Sequence, residues 1–202
     1  HRAGFEVVGV DINPQPNYPF EFHQADALDV LDSDWLGRHH IHSFDAIHAS
    51  PPCKAHNNLR HLHPDVEHVS LIQPTRERLL ASGVPWVIEN VPGAPVRQDV
   101  VLCGSMFGLG VWRHRWFELS WPFFTLLSPC RHDFRPMAVY GHAGVTTKSR
   151  PGRTRERNGS KAEWEAAMGI DWMTVDGLAQ AIPPAYTEWL GAHLMKTLPV
   201  LR

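Results

Sequence analysis

A helix-patterned segment, Leu71 to Ser82, stands between two short apolar runs, Phe44 to Ala49 and Trp86-Val87-Ile88, and this order constrains the chain more than any other feature. Thr75, Arg76, Glu77 and Arg78 fall among apolar residues at helical spacing, and Gly83 supplies the stop. Strand, helix, strand is a crossover unit, which predicts a largely parallel sheet. Ligands of open α/β sheets lie outside the carboxyl ends of the strands, so the residues just past each run matter most. Pro51-Pro52-Cys53 follows the first run and Glu89-Asn90-Val91 closes the second. A thiol and a carboxylate at two strand tips converge on one site. Cys53 taken alone reads first as a buried structural thiol, since free cysteine is among the most buried residue types.

Two further strands are expected at Phe5 to Val10 and Phe20 to His23, each followed by an aspartate, Asp11 and Asp26. Asp29 to Leu36 has a helical pattern. Strands are expected at Val100 to Cys103 and Trp116 to Leu119, with hairpins or an antiparallel edge there. From Trp121 to Gly159 the chain is rich in Pro, Arg, His and Gly with little periodicity, apart from a short strand expected around Ala138 to Tyr140. Ser160 and Glu163 form a capping box that opens a helix over Lys161 to Met168. A short helix over Asp176 to Ala181 and a final one from Pro184 to about Lys196 complete the reading, the last with proline in its first turn.

In order along the chain stand Pro51-Pro52-Cys53, Glu89-Asn90-Val91, Arg113-His114-Arg115 and Ala181-Ile182-Pro183-Pro184-Ala185-Tyr186. This series resembles that of the DNA cytosine-5 methyltransferases, and the short phage-type members most closely in style. The resemblance covers nearly the whole chain. It implies a Rossmann-like S-adenosylmethionine-dependent α/β fold, a mostly parallel sheet with helices on both faces. It also implies three regions: a catalytic and cofactor-binding core over 1–120, a small irregular target-recognition region over 121–160, and C-terminal helices over 161–202 that return to the core.

Cytosine C5 is a poor nucleophile, so its methylation requires prior covalent attack at C6. By resemblance Cys53 is that nucleophile and Glu89 the acid that stabilises charge at N3. In an apolar setting the pKa of Glu89 would rise, with a salt-bridged strand-end residue the lesser alternative given the series. Arg113 and Arg115 are two apart, so in an extended segment they share a side. The resemblance gives Arg115 the cytosine O2 and Arg113 a phosphate or the nucleophile loop. Val111 departs from the glutamine often found before that segment. On the cofactor side the resemblance assigns Asp11 to the ribose hydroxyls, Asp26 and Ala27 to the adenine, Ile12 and Pro52 to packing around it, and Gln180 and Ile182 to the C-terminal motif. Each aspartate taken alone reads equally as a turn or helix cap.

The implied partner is double-stranded DNA with the target base turned out into the pocket, and Lys54 to Pro64 as the loop closing over it. A net charge of −2 excludes a uniformly basic DNA-coating protein, so contact needs a local patch. Lys148, Arg150, Arg153, Arg155, Arg157 and Lys161 face only Glu156 among acids, and they read either as that patch or as a solvated loop. Asn90, Lys54 and Arg131 join Arg150, Arg153, Arg155 and Arg157 as expected substrate contacts. His48, His56, His61, His63 and His68 crowd the neighbourhood of Cys53, and Cys103, Cys130 and His132 invite the same thought. None forms a recognised ligand framework with a matching second pair, so no metal is expected.

The 202 residues suit one domain with a substantial core, and the three cysteines fit a reducing cytosol, bacterial or phage-infected. No membrane span or leader is evident. A monomer is expected, with restriction protection one biological role consistent with the resemblance. The family's first strand and Gly-rich cofactor loop have no counterpart here, and the chain opens on His1. Either residues are missing before it, or this is a degenerate relative. The rivals to a methyltransferase are therefore an inactive DNA-binding relative and a pyrimidine C5-modifying enzyme with another one-carbon donor.

Overall fold

The computed structural model describes residues 1–52, 69–140, 157 and 159–201. Strand β1 (Val8–Asp11) pairs in parallel with β2 (Glu21–Gln24), which sets Asp11 opposite Gln24. Asp26 caps helix α1 (Ala27–Ser33) by accepting from the Leu28 N–H, and the helix ends at Asp34 in the left-handed region, φ 63°. β3 (Trp35–Leu36) and β4 (His39–His40) form a two-stranded antiparallel ribbon around Gly37.

The largest sheet has the order β5-β6-β8-β7, from β5 (Ile47–Ala49), β6 (Trp86–Asn90), β7 (Val100–Leu102) and β8 (Arg115–Leu119). Helix α2 (Ile72–Ser82) lies between β5 and β6 in sequence, and those two strands are parallel with Ile47 opposite Trp86. This is the crossover that the apolar runs predict. β6 and β8 are antiparallel, as are β7 and β8.

The expectation of one mostly parallel Rossmann-like sheet is therefore overturned. The described strands form separate sheets of two, two and four strands, and three of the five strand pairs are antiparallel. The physical reason lies in the connections. A parallel neighbour needs a long crossover, usually helical, whereas antiparallel neighbours tolerate short links. Between β6, β7 and β8 the only helical piece is a single 3-10 turn, Gly104–Phe107, so no α-helix carries the chain back. β1 and β5, which one continuous sheet would unite, belong to different sheets.

Alternation along β6 divides the core. Trp86 and Ile88 pack with Ile72 and Leu79 of α2, whereas Val87 joins Phe117, Leu119 and the helix α5 (Pro184–Leu201) residues Tyr186, Leu190 and Leu194. Side chains buried this fully contribute about 1.5–3 kcal/mol each. A third cluster joins Val111, Met137 and Val139 to Trp164 and Met168 of α3 (Lys161–Met168) and Leu178 of α4 (Val175–Gln180). Between Trp121 and Tyr140 no regular element forms. In place of the strand expected around Ala138, Met137 makes an isolated bridge with Arg157. Among the described residues no helix is long and apolar enough to cross a membrane.

Candidate active site

Glu89 lies near the end of β6 with only 5% of its surface exposed. Strand β8 runs antiparallel beside it, which brings Arg115, the first residue of β8, to the same end of the sheet. Arg115 Nε stands 2.7 Å from Glu89 Oε1 as an ion pair. The contact falls short of well-aligned hydrogen-bond geometry at Oε1, so charge is its main component. Burial pushes the Glu89 carboxyl above its ordinary range, against the Arg115 charge, a Ser50 hydrogen bond and the Arg113 charge. A rise in that direction favours the proton-bearing form of a carboxyl, the form that can donate.

Asn90, the next residue, is buried and reaches across to the neighbouring strand's exit. Its Nδ2 donates to the Pro51 carbonyl at 2.9 Å, while its Oδ1 accepts from the Val91 N–H. The two segments singled out by sequence, Pro51-Pro52 and Glu89-Asn90-Val91, thus meet. Cys53 and Lys54, the expected nucleophile and its neighbour, lie outside the described residues, as do Arg150, Arg153 and Arg155. Pro52 is exposed.

Arg113 behaves unlike an extended residue. Its φ is +35°, so the same-side expectation for Arg113 and Arg115 does not hold. Its guanidinium donates to three carbonyls: Nε to Ala181, Nη1 to Val139 and Nη2 to Ala179, at 2.7 to 2.9 Å. Three of its five N–H donors are thus engaged within the chain. Tyr186, fully buried on α5, donates its hydroxyl to the Arg113 carbonyl at 2.9 Å. Arg113 therefore ties the segment before β8 to the link between α4 and α5. Around that link Ile182 packs on the main core, while Gln180 is exposed and its Nε2 donates to the Asp176 carbonyl.

Asp11 and Asp26 are gathered at the ends of the β1–β2 pair. Asp11 accepts from the Asn13 N–H at 2.8 Å and from Gln15 Nε2 at 3.3 Å, and its carbonyl accepts from the Ala25 N–H. Asp26 is the α1 cap, so the capping role that each aspartate allowed on sequence is present in both. Next to them Ile12 is 63% exposed, a large apolar side chain beside a carboxylate. Ala27 is exposed at the start of α1. Of the expected DNA contacts, Arg131 is exposed with its N–H donating to Ser105 Oγ, and Arg157 faces Glu163 at 3.4 Å.

Of one grouping the sequence showed three members, Cys103, Cys130 and His132, from which no metal was expected, and His114 went unseen. Cys103, His114, Cys130 and His132 bring their ligand-type atoms within 4.8 Å of one another. Their separations in sequence fit no standard framework, and His114 is hidden inside the Arg113-His114-Arg115 series. The Cys130-x-His132 pair was the one local signal. Asp34, His40 and His42 form a second, more exposed group. Neither a known protein family nor a curated protein matches this chain.

Proposed function

We propose that the protein methylates C5 of cytosine in DNA, with Cys53 as the nucleophile and S-adenosylmethionine as the donor. The observation that carries this reading is the buried Glu89, paired with Arg115, its pKa raised by burial, and followed by Asn90, which bonds the carbonyl of Pro51, two residues before Cys53. A buried carboxyl beside a guanidinium suits a pyrimidine edge that offers both an acceptor nitrogen and a carbonyl oxygen: the carboxyl, once protonated, serves the nitrogen and the guanidinium the oxygen.

In this reading the base is turned out of the duplex. The Cys53 thiolate adds to C6, the C5–C6 π electrons move into the ring, and the charge that develops at N3 is met by the Glu89 proton. Arg115 holds the ring carbonyl oxygen. S-adenosylmethionine, when bound, supplies the electrophilic methyl group that the activated C5 accepts. The donor departs as the neutral thioether, and release then requires return of the N3 proton to Glu89, loss of the C5 proton to a base and expulsion of the Cys53 thiolate. The β1–β2 end fits such a donor: Asp11 is a carboxylate acceptor for vicinal hydroxyls, and Ile12 is an exposed apolar surface for a purine face. Gln180 and Ile182 stand on the α4–α5 link, whose position Arg113 fixes.

A duplex carrying 5-fluorocytosine tests the proposal, because fluorine at C5 cannot leave as a cation and the covalent complex is trapped. Incubation with S-adenosylmethionine is expected to give a denaturation-resistant protein–DNA adduct that Cys53→Ala abolishes. An adduct that persists in Cys53→Ala, or none with the unaltered protein while it binds both DNA and S-adenosylmethionine, overturns it.

A further inference from the structure

Cys103, His114, Cys130 and His132 come from three separate stretches of chain. Cys103 is buried directly after β7 and caps the 3-10 turn Gly104–Phe107. His114 immediately precedes β8, and Cys130 and His132 belong to the segment after Trp121 that forms no regular element. Close backbone approach makes the meeting possible. The Gly104 N–H donates to the Trp112 carbonyl at 2.7 Å, and any Cβ on Gly104 would collide with the Val111 carbonyl.

The contacts alternate thiol with imidazole. Cys103 Sγ lies 3.5 Å from His132 Nε2, and Cys130 Sγ lies 3.7 Å from His114 Nε2. A tetrahedral zinc ion with ordinary Zn–S and Zn–N bond lengths sets its sulfur and nitrogen ligands about 3.6 Å apart. The surroundings are those of a supported ligand set. Ser105 Oγ stands 3.2 Å from Cys103 Sγ, and Trp112 stacks on the His132 ring at 4.3 Å. Both cysteines are free thiols.

We infer that Cys103, His114, Cys130 and His132 form a binding site for one zinc ion, a closed four-ligand site that fastens the irregular segment to the sheet. Binding converts two thiols to thiolates and releases their two protons to solvent, leaving a neutral centre. With four protein ligands the ion has no open position, so its role is structural. Its position gives that role a direction, since His114 stands between Arg113 and Arg115. The ion would fix the start of the 3-10 turn, the entry to β8 and the Cys130–His132 segment at one point. The inference stands on these side chains alone and is independent of the proposed methylation.

Purifying the full chain under reducing conditions from zinc-supplemented medium, followed by elemental analysis, is the direct test. About one zinc per chain is expected, with the metal lost on Cys130→Ser and on His132→Ala. Cobalt(II) substitution in the unaltered protein provides a readout that needs no variant: strong visible bands of tetrahedral cobalt and near-ultraviolet thiolate-to-cobalt charge transfer. A reduced protein that takes up neither ion overturns the inference. So does zinc that survives Cys130→Ser but disappears with His40→Ala, which would place it at the Asp34, His40 and His42 group instead.

Discussion

Glu89 and Glu118 are the same residue type on adjacent strands, both nearly sealed from solvent, and they are treated in opposite ways. Glu118, 2% exposed, accepts from Arg76 Nε and Nη2 at 2.8 and 2.7 Å and from the Arg97 N–H at 2.9 Å. Burial alone would raise its pKa, but those donors and the two arginine charges bring it below the ordinary range. Glu89 has the Arg115 ion pair, a Ser50 hydrogen bond and the Arg113 charge, but its Oε1 lacks an aligned donor, and burial prevails. Donor alignment, more than depth, decides whether a buried carboxylate becomes a strut or a proton store.

The largest expected effect separates the two chemically. Glu89→Gln should lower the proposed methyl transfer by about 10²- to 10⁴-fold with little loss of folding stability, measured by single-turnover kinetics beside thermal melting. An equal fall in both would place Glu89 with Glu118 among the struts. Arg76→Ala should act the other way, leaving a charge buried without its partner and costing about 3 kcal/mol or more in denaturant unfolding. Arg113→Ala orphans three carbonyls and should cost about 2–3 kcal/mol, whereas a smaller loss would show that the α4–α5 link holds without it. Tyr186→Phe removes a single hydroxyl and should cost about 1 kcal/mol.

The pH dependence sharpens the comparison in sign. Glu89 titrates above the ordinary glutamate range in the folded state, so its stabilising contribution is present at low pH and is lost as pH rises through the native value. Glu118 titrates below that range, so its contribution is present at neutrality and is lost as pH falls through its native value. Unfolding free energies across the acid range should therefore show Glu89→Gln gaining on the unaltered protein toward neutrality, and Glu118→Gln losing.

Local signals proved the most readable. The capping box put α3 at Lys161–Met168, and the Gly83 stop ended α2 at Ser82, because caps act within one turn. The juxtaposition of Glu89 with the Pro51 segment also followed from the pattern, since a single crossover makes β5 and β6 parallel neighbours. Sheet-wide organisation did not follow. Whether β1 and β5 share a sheet depends on which edges find partners, and no residue in either strand encodes that. Arg113 was read as extended because alternation assumes φ in the β region, and its +35° is set by carbonyls that arrive from residues 179 and 181. That His114 completes a group with Cys103, Cys130 and His132 was hidden for a similar reason, as distant chain segments assemble it.

Those Arg113 bonds span 66 and 68 residues of sequence. On a ribosome, the guanidinium is made well before two of the carbonyls that receive it. Until residue 181 has left the exit tunnel, the stretch before β8 has no reason to hold a left-handed turn, and Tyr186 is not yet present to brace it. The entry to β8, and with it the position of Arg115, is thus expected to settle late in synthesis. Fragments that stop short of α4 should be degraded readily in the cell.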